Sequence, residues 1–168
     1  QSEERQKVAA EAVSTRFLGR VFLDHAIISK ENQGRHQESA SLRVIDEYSG
    51  AAMSYPTSVR DAGSVRTALL HFGGQKAANF IVKYGSDRAL EIVAAGKALG
   101  WIHQASTPNS VLHNPQAERG IRTSKDGASC NLEQSGLEHK DWPLAQEHHD
   151  LVRTFTEPAP TKGVKDKR

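Results

Sequence analysis

Apolar and polar positions divide the chain into short strand-like runs in its first half and helical stripes in its second. Residues 1–16 carry a weak helical pattern, Val8, Ala9 and Ala12 among charges. Residues 19–29 hold Val21-Phe22-Leu23 and Ala26-Ile27-Ile28 and predict a first strand. Residues 30–40, with Gly34 and almost no apolar side chains, read as an exposed connection. Leu42-Arg43-Val44-Ile45 is a second strand, Asp46 to Gly50 a turn, and residues 51–57 a third strand ending at Pro56. The Ser49-Gly50 link makes these two an antiparallel hairpin. Asp61 caps a helix whose Val65, Ala68, Leu69 and Phe72 follow the i, i+3, i+4, i+7 spacing, and Gly73-Gly74 stops it. Residues 79–84 predict a fourth strand and 88–99 a second helix, with Ile92, Ala95 and Leu99 on one side and Gly100 at its end. Trp101-Ile102-His103 form a short fifth strand.

A long helix then opens with Asn114 as N-cap and Pro115 at the first helical position, where a missing N–H costs nothing. Its inward stripe is Ala117, Ile121, Ser124, Ala128 and Leu132, with Cys130 read as a small core residue beside it. Arg119, Arg122 and Lys125 recur on faces that reach solvent, and Gly136 ends the helix. A last helix opens at Asp141-Trp142-Pro143 and runs through Leu144, His148, Leu151 and Val152, with Trp142 and Leu144 in the core. The order is βββαβαβα with one further helix behind it. The pattern predicts one α/β domain, a five-stranded mixed sheet flanked by helices, over residues 19–156. Residues 1–18 form an N-terminal extension and 157–168 a flexible basic tail.

Length and composition agree with a single core: 168 residues at 37% hydrophobic content bury one core of ordinary size. The net charge of +2 is too small to require a nucleic-acid partner, but Lys162, Lys165, Lys167 and Arg168 crowd one end. One cysteine excludes an internal disulfide and a multi-cysteine zinc site, which fits a reducing compartment. His103, His113, His139, His148 and His149 match no tight ligand spacing. No apolar run approaches the roughly 20 residues that span a bilayer, so no membrane partner is expected. Starting on Gln1 suggests a piece of a longer polypeptide such as a polyprotein.

Three acids stand out. Asp24 interrupts the apolar run of the first strand, where burying a carboxylate costs on the order of several kcal/mol unless a cation compensates. Asp87 follows Phe80-Ile81-Val82 where strand chemistry gives way to helix chemistry, and Glu118 lies one turn inside the Asn114-Pro115 helix. Acids converging from separate elements suggest a divalent-metal site. A plainer account serves Asp87 and Glu118, since a strand end and a first helical turn suit acids without a metal. It serves Asp24 least. Asp46 reads as a turn former and Glu91 as a helix-face acid.

From Arg20 to Phe155 the chain resembles the catalytic core of retroviral and retrotransposon (copia-like) integrases, within the ribonuclease H-like superfamily. The likeness rests on motifs in order: Asp24 on the first strand, the Asp46 to Gly50 turn, and Tyr84-Gly85-Ser86-Asp87 followed by Glu91. Ser106-Thr107-Pro108, Asn114, Ala117-Glu118-Arg119, Leu137 and Trp142-Pro143 continue it. The chain departs from the family in a shorter spacing between Asp87 and Glu118, in Pro115 after Asn114 where a glycine is usual, and in Arg88 where many members have Asn.

What the resemblance implies is a metal-dependent polynucleotidyl transferase that trims and joins DNA ends. Two Mg²⁺ or Mn²⁺ ions would be held by Asp24, Asp87 and Glu118, with Asp24 bridging both. Water would attack when an end is trimmed, and the new 3′-hydroxyl when that end is joined to target DNA. Arg119, Arg122, Lys125 and Asn114 would face the DNA. The partners implied are retroelement ends, target DNA and further copies of the chain, in the nucleus or a cytoplasmic retroelement particle. Two alternatives remain open: an inactive remnant that still binds nucleic acid, and a metal-dependent nuclease on the same fold.

Overall fold

The structure, a computed structural model, describes residues 14–87, 89–105 and 115–157. Its strands are β1 (Arg20–Ile27), β2 (Ala40–Asp46), β3 (Ala52–Thr57), β4 (Lys83–Ser86) and β5 (Ile102–Ala105). Its α-helices are α1 (Ala62–Gly73), α2 (Leu90–Ala98), α3 (Pro115–Ser135) and α4 (Trp142–Thr156). The five strands form one sheet in the order β3-β2-β1-β4-β5. The first three strands pair antiparallel and β4 and β5 add in parallel, which makes the sheet mixed.

Local chemistry accounts for most boundaries. Asp46 is fully buried at the β2–β3 turn, where Oδ1 accepts the Leu18 N–H and Oδ2 accepts the N–H and hydroxyl of Ser49. It is the expected turn former. Asp61 caps α1 by accepting the Ser64 N–H at 2.7 Å. Gly74, Gly100 and Gly136 follow their helices at φ of 78°, 69° and 68°, values at which a side chain would be strained.

One face of the sheet carries the hydrocarbon core. Val21, Leu23, Leu42, Val44, Val82 and Tyr84 pack against Val65, Ala68 and Leu69 of α1 and Ile92 and Ala95 of α2. The opposite face is covered by α3, which lies on β1 and β2, and by α4, which lies on β3 and alongside α3. α3 comes close to the sheet at Gly120, where a Cβ would stand 2.3 Å from Ile45 Cδ1 and that side chain would have to move.

Three expectations need correction. The fourth strand spans Lys83–Ser86 rather than 79–84, and residues 75–79 form a 3-10 turn. Strand structure needs a partner, and the ladder with β1 starts only at Arg20↔Lys83, so Phe80 and Ile81 stay exposed while Val82 is buried. Leu144 is not core: it is 63% exposed, whereas Trp142 is buried with its indole N–H donating to the Asn32 carbonyl at 3.0 Å. Cys130 is exposed, being two residues and so about 200° round the helix from the buried Ala128. The 30–40 connection is largely exposed, as expected, and is tied to the start of α4 by Arg35, whose Nε and Nη2 donate to the Asp141 carboxylate at 2.7 and 2.9 Å. Among the described residues, no helix is long and apolar enough to cross a membrane.

Candidate active site

The parallel pairing of β1 with β4 decides where two of the three acids meet. Its register runs Arg20↔Lys83, Val21↔Tyr84, Phe22↔Gly85. Continued two residues past its last pairing, that register carries Asp24 towards Asp87, just beyond the end of β4, and the charge of Asp87 acts on Asp24. Alternation turns Val21 and Leu23 to the hydrocarbon core and Asp24 to the face under α3. Glu118 lies in the first turn of that helix, one residue after the fully buried Ala117.

Asp24 registers this convergence. Its carboxyl is half-buried and pushed up from its ordinary 3.8 to about 6, chiefly by burial and next by the charge of Asp87, with Glu118 adding to the rise. The backbone N–H of His25, 2.8 Å from Oδ1, opposes it. Asp87 and Glu118 are exposed, and of the three Asp24 alone is partly desolvated. Asp87 Oδ1 accepts the Ala89 N–H at 3.1 Å. Among the described residues, no three His, Cys, Asp or Glu side chains are grouped so as to hold a metal ion. Asp87 and Glu118 nonetheless both add their charge to that felt by Asp24, and all three side chains offer hard oxygen donors. That donor chemistry and that accumulated negative charge fit Mg²⁺ or Mn²⁺.

The basic residues of α3 follow Glu118 along the helix. Arg119, Arg122 and Lys125 are all exposed. Arg119 borders a cleft of about 380 Å³ beside the Asp46 to Gly50 turn, and Lys125 a cleft of about 280 Å³ beside Ile27 and Ile28. Asn114, with Arg88, Ser106-Thr107-Pro108 and the basic tail, lies outside the described residues. Glu91 is the structural acid expected: its Oε1 pairs with Arg60 Nε at 3.0 Å and stands 3.5 Å from His25 Nδ1. Burial pushes His25 below its ordinary range, with Glu91 opposing.

Two polar assemblies escaped the sequence reading. Arg43, opposite Asp24 in the β1–β2 register, is 1% exposed and forms an ion pair with the fully buried Asp150 of α4. Arg43 Nη1 also donates to Ser54 Oγ at 3.0 Å, and Ser124 Oγ of α3 donates to Asp150 Oδ1 at 2.9 Å. The signal was available, because Arg43 interrupts an apolar strand just as Asp24 does. The second assembly joins Ser86 to His103 at the end of β4. Nothing in a lone serine and a lone histidine 17 residues apart announces it.

No protein-family model matches the chain, and no curated protein matches it. Among solved structures it is similar to the catalytic core domain of BIV integrase, with a TM-score of 0.56 and 16% identity over 80% of this chain and 82% of that one. At that identity the likeness bears on architecture, and it bears on nearly the whole of it. The mixed five-stranded sheet flanked by helices has the fold of an integrase catalytic core.

Proposed function

We propose that the chain is a metal-dependent polynucleotidyl transferase that processes the 3′ ends of retroelement DNA and transfers them to target DNA. The observation that carries this reading is the meeting of Asp24, Asp87 and Glu118 from β1, the end of β4 and α3, where burial and its two neighbours hold the Asp24 carboxyl at about 6. Mutual repulsion of this kind makes a group of acids receptive to a cation. Asp24, Asp87 and Glu118 would hold two Mg²⁺ or Mn²⁺ ions, which when bound activate an attacking oxygen and stabilise a leaving one. Arg119, Arg122 and Lys125, exposed on α3 after Glu118, would take DNA phosphates together with Asn114, and binding through them weakens steeply with salt. On this reading the chain works as a multimer on DNA, in the nucleus or in a retroelement particle.

The test is a gel assay on pre-nicked or branched DNA with Mn²⁺ or Mg²⁺, comparing the chain with Asp24→Asn and Glu118→Gln. Cleavage or joining that needs the metal and disappears in both variants is the expected result. An inactive remnant that binds nucleic acid through α3 is the second reading, favoured by the openness of the acid cluster. DNA binding by a folded chain that neither cuts nor joins would select it. Cutting without joining would select a nuclease.

A further inference from the structure

Asp87 poses a problem of placement. It is exposed, sits one residue past Ser86↔Ala105, the last pairing of β4 with β5, and faces the like charge of Asp24. Repulsion and solvent would both draw such a side chain away, so something must hold it.

Ser86, 1% exposed, supplies one anchor. Its Oγ stands 2.7 Å from the carbonyl oxygen of Asp87 and 3.0 Å from Nε2 of His103. A hydroxyl has one proton and a carbonyl can only accept, so the Ser86 proton goes to Asp87 and His103 must donate from Nε2. The imidazole is itself fixed. It stacks on Tyr84, its β4–β5 register partner, with ring centres 4.7 Å apart and planes inclined by 18°. Tyr84 in turn lies over Gly96 of α2, where a Cβ would stand 2.5 Å from the phenol ring. The chain of contacts therefore runs from α2 through Tyr84, His103 and Ser86 to the backbone of Asp87. The Ala89 N–H holds the carboxylate from the other side.

We propose that His103 and Ser86 are positioning residues for Asp87: their hydrogen-bond relay fixes the backbone from which the Asp87 carboxylate reaches toward Asp24 and a bound divalent ion. The proposal rests on the ion-binding reading of the site, and it differs from a plain satisfaction of buried polar groups in what it makes the relay control. Supporting partners of this kind set metal affinity by about 10–100-fold.

The experiment titrates the full chain with Mn²⁺, following free Mn²⁺ by electron paramagnetic resonance, in four versions: unmodified, His103→Phe, Ser86→Ala and Ser86→Thr. His103→Phe keeps a ring over Tyr84 and removes the donor; Ser86→Thr keeps the hydroxyl. Affinity should fall about 10–100-fold in His103→Phe and Ser86→Ala and stay within a few-fold in Ser86→Thr. A metal-free readout accompanies it: amide exchange at Ala89, whose N–H Asp87 holds, should speed up in the first two variants and not in the third. Unchanged Mn²⁺ affinity with unchanged Ala89 protection in folded His103→Phe and Ser86→Ala overturns the proposal, whatever their melting temperatures. The ion site fails separately: Mn²⁺ binding that is absent, or indifferent to Asp24→Asn, sinks that reading, while faster Ala89 exchange in the two variants still upholds the positioning.

Discussion

Under α1 and α2 the sheet presents Val21, Leu23, Leu42 and Val44, all 2% exposed or less, to other hydrocarbon. Under α3 and α4 the same strands present Ser41, Arg43 and Ser54, each 1% exposed, to Ser124, Gln146 and Asp150. Apolar burial is non-directional, so helices on the first face can settle wherever volume is filled. Hydrogen bonds and ion pairs on the second face are directional, and sliding α3 along the sheet would break Ser124 Oγ from Asp150 and move Gly120 off Ile45. The candidate acids belong to this second face: Asp24 projects from the strand beside Arg43, and Glu118 rides on the helix that Ser124 anchors. Cohesion comes mainly from the apolar side. The polar side determines where α3 sits, and with it where Glu118 meets Asp24.

The largest effect should come from splitting the buried pair. Arg43→Ala leaves Asp150 charged and enclosed, which should cost about 3–5 kcal/mol, comparable to or above the roughly 2–5 kcal/mol expected for Leu69→Ala on the apolar side. The two losses differ in how they can be repaired. Replacing both partners by hydrocarbon, Arg43→Met with Asp150→Leu, should recover most of the loss, because no buried charge is then left unpaired. Urea denaturation of the two single variants and the double one measures this. A double variant no more stable than Arg43→Ala would mean that the polar face carries stability and not placement alone.

Asp24 sharpens the contrast through pH. Its native carboxyl titrates near 6 against an ordinary 3.8, so the folded state holds this proton more tightly than the unfolded one. Stability contributed by the group is therefore full below about pH 4, declines as the pH rises toward 6, and is absent above it. Asp24→Asn, uncharged throughout, should melt higher than the parent chain above pH 6, and the gap should close below pH 4. Parallel melting curves across that range would show that Asp24 is not held against its neighbours' charge.

The same division explains what could be read from the chain. Val65, Ala68, Leu69 and Phe72 announce α1 because one hydrocarbon stripe against one core obeys a simple period. On α4 that logic fails. Leu144 and Leu151 look like its inner face, yet they are 63% and 47% exposed and border an open cleft, while the side turned to the sheet holds Ala145, Gln146 and Asp150. The convergence of Asp24 with Asp87 was legible as a motif but not as geometry, since it depends on the parallel register between strands 63 residues apart. Strand boundaries near residues 79–84 misled for a related reason: Phe80 and Ile81 have strand-like composition and no strand to pair with. Ser86 and His103 meet only because β4 and β5 are laid side by side by the α2 crossover.

The smallest predicted effect inverts the usual ranking of apolar over polar on a helix. Leu144→Gln should change stability by no more than about 0.5 kcal/mol, because the side chain already lies mostly in water. Gln146→Leu, two residues along the same helix, adds hydrocarbon at a site 3% exposed, yet removes the Oε1 that accepts the Ser41 hydroxyl at 2.8 Å. The stranded hydroxyl should cost about 1–3 kcal/mol, partly offset by the gain in apolar burial. Chemical denaturation of the two variants in parallel reads the difference directly. If Gln146→Leu proved the more stable of the pair, the face beneath α4 would be governed by hydrophobic burial after all, and the Arg43–Asp150 pair would be left as the polar contact that sets α4 on β2.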